Sequence, residues 1–475
     1  MRYRKERDYL GDIEVPFDAY WGVQTQRAVD NFPISGVRPY KEFITSLVLI
    51  KRAAAEANAK AGLLDKKKAG AIIDASDEIV SGKLMDQFVV DVYQAGAGTS
   101  MNMNANEVIA NRASELLGGK KGDYSSIHPN DDVNKGQSTN DVIPTAIRIS
   151  SLVLAKRLIT TLSGLVSSLH KKAVEFDSFV KSGRTHLMDA APIRLGQEFE
   201  AWSKMMEKDK KRIEASLTNL KMVNLGATAV GTGINADPRY VRYTIDILSK
   251  LTGFDLSPSE FLPEATESVS DFVELSSSIR SLAIDLTKIC NDIRLMNSGP
   301  VTGLAEITLP AVQPGSSIMP GKVNPVIAEC MNMVAFQCMG NDLSISLAAQ
   351  AGQLELNVMM PLIAFDIVFS MRIMRNSLRM FRELLVEGIA ANEDRCAKLV
   401  ERSPGIALVL NPYIGYAKAA EAVKESLKTS KSIREIVLEK GWMKKDELDN
   451  VLDLYSMTEP GVKGKMGRKS AGKRV

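Results

Sequence analysis

Cysteine, histidine and aromatic residues are scarce in this chain of 475 residues, with four Cys, three His and 6% Phe, Trp and Tyr together. Cys290, Cys330, Cys338 and Cys396 stand far apart with no CxxC, which excludes a disulfide framework or a zinc ribbon. His128, His170 and His186 are equally scattered and form no HExxH, so a catalytic zinc has no ligand set. No uninterrupted apolar run reaches the roughly 18 residues of a bilayer span, and the opening MRYRKERDYLGD lacks the apolar core of a secretory leader. A reduced, cytoplasmic protein without membrane contact is expected. GxSxG and GxxxxGK[ST] are also missing, and Gly231-Thr232-Gly233 lacks the strand-to-helix setting of a dinucleotide site.

Charge of one sign is lacking too. Lys and Arg number 60 against 57 acids, but six of those bases (Lys463, Lys465, Arg468, Lys469, Lys473 and Arg474) crowd into an acid-free end. The body before them carries 54 bases against 57 acids, a net −3, which is no nucleic-acid footprint. The basic end is expected to be a frayed, solubilising terminus.

What the chain has is helical periodicity. Phe272, Leu275, Ile279, Leu282, Leu286, Ile289, Ile293 and Met296 follow steps of three and four, the stripe of a bundle helix. Leu152, Ala155, Ile159, Leu162, Val166, Leu169 and Ala173 form a second stripe. A third apolar stretch, from Pro325 to about Leu385, contains Gly340, Gly352 and Pro361, so it should be broken or kinked. Alternating strand patterns are nearly absent. The expected class is mainly all-α, an extended bundle whose Phe272–Met296 face needs partner chains to cover it. Composition shifts near 138 and 393 divide it into an N-terminal domain (1–138), a central helical-bundle domain (139–393) and a small C-terminal domain with the basic tail (394–475).

Four polar clusters are expected to precede helices: Gly98-Thr99-Ser100, Ser138-Thr139-Asn140-Asp141, Gly183-Arg184-Thr185-His186, and the run from Gly315 to Pro325. The third should introduce a helix starting near Pro192. In the fourth, Asn324 suits an N-cap and Pro325 a first helical position. A helix N-terminus offers free N–H groups and partial positive charge, so four of them suit a small polar anion. Any one cluster is also explained by capping alone. The fourth is harder to dismiss, because capping requires neither Gly-Ser-Ser nor the following Lys322. Serine is then the best nucleophile or base on offer, with His186 and Lys322 as charged partners.

At these residues the chain resembles the aspartase/fumarase superfamily of lyases. GSSIMPGKVN (315–324) matches its signature GSSxMPxKxN in full, and GAGTSMNMNANEVI (96–109), QSTND (137–141) and GRTHLMDAAP (183–192) match as well. The likeness extends from LGDIEVPFDAYWGVQTQRA near the start to LNPYIGY at 410–416. Thr139 and Leu187, with EATESVSDFVE (264–274) and GLAEITLP (303–310), side with the aspartate ammonia-lyases over the class II fumarases, which typically have QSSND and GRTHTQDA. Asp132, Met188 and Val301-Thr302 depart from the family pattern; Asp132 replaces a His on which a secondary dicarboxylate site would rest.

The resemblance implies a three-domain lyase fold, a homotetramer with a twenty-helix core, and sites shared by three subunits. It implies elimination of ammonia from L-aspartate to give fumarate, or, as the alternative, hydration chemistry between L-malate and fumarate. Ser316 would be the base that removes a proton beside one carboxylate. Thr99, Ser138, Thr139 and Ser317 would surround the resulting enediolate; Thr185, Lys322 and Asn324 would hold the other carboxylate. Asn140 and His186 would face the leaving amine, and Glu329 fills the place of the fumarase partner of that His. No cofactor or metal is implied, because the substrate carboxylate is itself the electron sink. A helical scaffold that has lost activity fits poorly with so complete a residue set.

Overall fold

The computed structural model describes residues 2–463; the basic tail, apart from Lys463, lies outside the described residues. The chain opens on an antiparallel hairpin, β1 (Tyr3–Asp8) and β2 (Gly11–Pro16). The helices α1 (Val23–Asn31), α2 (Lys41–Lys60), α3 (Lys66–Val80) and α4 (Thr99–Leu116) follow. α2 buries Phe43, Leu47, Val48, Ile50 and Ala53–Ala55 on nearly every side, as an apolar core helix must. Next come α5 (Thr139–Glu175), the hairpin β3 (Val180–Thr185) and β4 (Met188–Arg194), and α6 (Leu195–Ser216). A two-residue parallel pair, β5 (Met222–Val223) and β6 (Ser257–Pro258), flanks α7 (Pro238–Thr252), and α8 (Leu262–Glu267) leads to α9 (Ser270–Met296). β7 (Ile307–Thr308) pairs with β8 (Ala390–Ala391), and between them lie α10 (Val326–Gln350) and α11 (Met360–Leu384). Short helices α12 (Glu393–Arg402), α13 (Asn411–Ile414), α14 (Tyr416–Thr429), α15 (Ile433–Glu439) and α16 (Lys445–Val451) end the described chain around a core of Ile406, Leu410, Ile433, Ile436 and Leu448.

Two compact units emerge. One comprises Met1–Thr161, Asp209–Ile284 and Met333–Asn376; the other comprises Leu162–Lys208, Asp285–Asn332 and Ser377–Val475. In the first, Ser276 and Arg280 of α9 bond Asp342 of α10, and Asn341 of α10 donates to Ser370 of α11. In the second, Ser203 of α6 donates to the Val166 carbonyl of α5. The break expected between Pro325 and Leu385 falls between α10 and α11.

Three expectations need correction. The Phe272–Met296 stripe is buried within the single chain, from Phe272 at 1% exposure to Met296 at 5%. The wet apolar face is on α10 instead: Met333, Phe336, Leu343 and Leu347 are 64%, 56%, 62% and 52% exposed. Gly183–His186 does not precede a helix. It belongs to the β3–β4 hairpin, and α6 begins only at Leu195. Finally, α5 is long enough, with a mean hydropathy of 1.4 over an 18-residue window, to cross a bilayer by length and composition. Uninterrupted runs missed it because serines, threonines and charges punctuate the stretch. Its Leu152, Leu162 and Leu169 are buried and Arg148 pairs with Asp271 at 2.8 Å, so it is a core helix.

Candidate active site

Two helix N-termini meet in the first unit. Thr99 opens α4 after Ala97 and Gly98, both at positive φ (62° and 89°). A Cβ at Gly98 would press on Ile143 of α5 at 3.2 Å, so the close approach of the two helices requires glycine. Ser138 caps α5: its Oγ accepts from Asn140 N at 3.2 Å, while Asp141 Oδ1 accepts from Ser138 N at 3.1 Å. The arrangement is a variant of the capping box, with the Ser138 hydroxyl on the second helical N–H and Asp141 in the Glu position. Capping and anion binding are therefore compatible here, since a hydroxyl whose oxygen accepts still has its proton to donate.

Pro144 sits one turn inside α5 and cannot donate to the Asn140 carbonyl. Asn224 Nδ2 takes that carbonyl at 3.1 Å, and Asn140 Nδ2 donates to Ala229 O at 2.7 Å. Asp141 Oδ2 accepts from Gly226 N and Thr228 N. The loop after α6 is thus fastened to the start of α5 by the very residues around the candidate site.

Beneath this surface lies a buried polar layer that sequence reasoning overlooked. Lys51 of α2 has 0% exposure and donates to Asn102 Oδ1 at 2.7 Å and Asn134 Oδ1 at 2.8 Å. Asn102 Nδ2 in turn reaches Asn134 Oδ1 and Thr139 Oγ1, both at 3.2 Å. Burial pushes Lys51 down to about 7, against the attraction of Asp141. Burial likewise pushes Asp141 up to about 7, against the N–H groups of Ser138 and Thr228 and the charge of Lys51. The available signal was a lysine inside ITSLVLIKRAAAEA, three and four residues from Leu47, Val48, Ala54 and Ala55.

Two further parts lie in the second unit. Thr185 pairs with Met188, leaving His186 and Leu187 as a two-residue turn with φ of 54° and 60°. Both values lie in the left-handed region that primed hairpin turns demand. Thr185 and His186 are exposed. Arg184 anchors the hairpin on fully buried Glu306 at 2.8 Å, and Lys181 bonds Glu306 and Glu198.

The 315–325 loop closes on itself. Gly315 N donates to Lys322 O at 2.7 Å, and Asn324 Nδ2 donates to Gly315 O at 2.7 Å. Lys322 Nζ donates to Asn324 Oδ1 at 2.7 Å. With its amide spent inside the loop, Asn324 does not cap α10, which is the fourth correction. Ser316 Oγ accepts from Ile318 N at 3.2 Å and Met319 N at 2.9 Å. Ser317 and Lys322 are exposed, and Lys322 and Asn324 border a cavity of about 740 Å³ also lined by Arg294, Asn297 and Thr308. Among the described residues, no hydrogen bond or ion pair joins this loop, or Glu329, to the His186 turn.

Of the departures, Asp132 has clear partners, while Met188 and Val301 are exposed. Asp132 is buried, pairs with Lys68 at 2.9 Å and accepts from His128 N. His128 Nδ1 itself accepts from Asn130 N and Asp131 N, a capping role. Among the described residues no group of three or more His, Cys, Asp or Glu side chains is placed to hold a metal ion.

Known proteins carry the same pattern. Residues 11–340 match the family described as lyase, and residues 406–459 match the fumarase C C-terminus. Aspartate ammonia-lyase of Bacillus subtilis is 51% identical over 98% of both chains, and that of Escherichia coli K12 is 46% identical over 97% of both. Among solved structures, a fumarate lyase:delta crystallin from Brucella melitensis bound to cobalt superimposes with a TM-score of 0.94 at 48% identity, over 97% of this chain and 100% of that one. A class II fumarase from Schistosoma mansoni gives 0.93 at 35% identity, over 96% and 99%.

Proposed function

This chain belongs to the aspartase/fumarase superfamily of lyases, and on that premise we propose that it removes ammonia from L-aspartate to give fumarate, reversibly. The observation that carries the chemistry is the Ser316 oxygen. Two backbone N–H groups already point at it, and donors to the charged form favour that form. A hydroxyl so placed, with Lys322 in the same loop, is suited to act as an alkoxide base.

Ser316 Oγ takes a proton from the carbon beside one carboxylate. The electron pair spreads into that carboxylate as an enediolate, stabilised by fixed donors from Thr99, Ser138, Thr139 and Ser317. The pair then forms the carbon–carbon double bond as the C–N bond breaks and the amine departs past Asn140 and His186. Thr185, Lys322 and Asn324 hold the second carboxylate, with Lys322 as its counter-charge. The electron sink belongs to the substrate, so no step needs a cofactor.

We further propose a homotetramer in which three subunits complete each site, keeping the three-part division 1–138, 139–393 and 394–475. Five helices of 22 residues or more per chain are what a twenty-helix core requires. The exposed α10 stripe supplies a face to bury. Cys290, Cys330, Cys338 and Cys396 are all free, which suits a reducing cytoplasm.

The test is ultraviolet detection of fumarate from L-aspartate and from L-malate, run in parallel on the purified protein. Fumarate is expected from aspartate. Turnover of malate alone would assign the chain to the hydratase branch.

A further inference from the structure

Lys51, Asn102 and Thr139 form a line from a buried amine to a half-buried hydroxyl, and protonation of Lys51 sets the direction of each bond in it. An ammonium has only protons to offer, so the amide of Asn102 must turn Oδ1 toward Lys51 Nζ, at 2.7 Å. Its Nδ2 then faces the other way, toward Thr139 Oγ1 at 3.2 Å. Thr139 accepts there, which leaves its single proton for another acceptor.

We propose, on the site reading above, that Lys51 is a positioning residue that works through Asn102 to hold the Thr139 hydroxyl as a donor toward the enediolate. Asn134 makes the arrangement rigid. Its Oδ1 accepts from Lys51, Asn102 and Asn106, and its own Nδ2 is held by Gln137 O at 3.1 Å. Without the cation only the 3.2 Å bond from Asn102 Nδ2 to Asn134 Oδ1 opposes turning the Asn102 amide over. Thr139 would then donate inward to Asn102 Oδ1 and present a lone pair to an anionic intermediate. The charge matters most where negative charge develops, so kcat should fall more than KM changes.

A double-mutant cycle between Lys51→Met and Thr139→Val tests the relay, with fumarate formation from L-aspartate as the readout and circular dichroism as the folding check. Thr139→Val is expected to lower kcat about 100-fold, the low end for losing one oxyanion donor. Lys51→Met is expected to lower kcat at least tenfold with KM within about threefold. In the Thr139→Val background the same Lys51→Met change should cost less than about threefold, because no hydroxyl remains to be oriented. Equal losses in both backgrounds would mean a merely structural lysine and would overturn the proposal. A Thr139→Val enzyme as fast as the wild type overturns the site reading itself, and the relay with it. Should Lys51→Met fail to fold, Asn102→Ala replaces it in the cycle. That variant leaves Lys51 bonded to Asn134 while cutting the link to Thr139, and additivity there is equally fatal.

Discussion

A serine hydroxyl is a poor acid, and in the proposed role of base the N–H groups of Ile318 and Met319 would make deprotonation of Ser316 tolerable. Ser316→Ala should therefore leave below about a hundredth of the activity, since a positioned base contributes roughly 10² to 10⁴. The circular dichroism spectrum should not change; retention of more activity would remove Ser316 from the role of base. Lys322→Met is a different kind of loss. A charge-assisted contact to a carboxylate present throughout the reaction is worth about 1.5–3 kcal/mol in ground and transition states alike. KM for aspartate should rise tenfold or more, and an unchanged KM would take Lys322 out of the substrate site. Both residues were legible in the sequence because their partners are local: Ser316, Lys322 and Asn324 bond within one ten-residue loop. Lys51 was not. Its meaning depends on Asn102 and Asn134, 51 and 83 residues away, and spacing within α2 alone marks it only as a misplaced charge.

Elements were read correctly where hydrophobic period carries the information. The helices α5, α9, α10 and α11 follow their stripes. The β3–β4 hairpin escaped because its turn lacks the usual signature. Residues at positive φ in a two-residue turn are normally Asn-Gly or Asp-Gly, whereas here they are His186 and Leu187. Strained positions of this sort concentrate at functional sites, so the element that hid from the sequence is one that bears candidate site residues. A second element depends on an acid. Asp91 accepts from Tyr93 N, Ser35 N and Oγ, and Gly36 N, tying the 33–37 segment to the approach to α4. Burial alone would raise its pKa, but these donors outweigh burial and hold the carboxyl below its ordinary value. Stability from such a group is present above the unfolded value near 3.9 and lost as pH falls through the lower native one. Asp91→Asn should thus lower stability by about 1–2 kcal/mol at pH 7. In urea titrations its deficit should hold down to about pH 5 and shrink below about pH 4. A deficit independent of pH would mean that the carboxylate charge is not what ties the segment.

At the scale of the molecule, burial overturned one expectation and replaced it with a better-placed one. The Phe272–Met296 stripe is satisfied inside one chain, while Met333, Phe336, Leu343 and Leu347 leave α10 apolar and wet. Monomers seldom tolerate a contiguous patch beyond a few hundred Å². Phe336→Glu combined with Leu343→Glu should yield a smaller, still helical particle by light scattering, inactive at every site at once. A monomer with full activity would sink both the shared core and the shared site. That no hydrogen bond or ion pair joins the Ser316 loop to the His186 turn among the described residues carries its own consequence, and it is a genetic one. If each site borrows these residues from different subunits, two broken genes can restore what neither supplies alone. A bacterium given one allele lacking the Ser316 hydroxyl and another lacking the His186 ring should regain part of its aspartate breakdown. Inheritance at this locus would then follow the mixture of alleles in the cell rather than the worth of any single one.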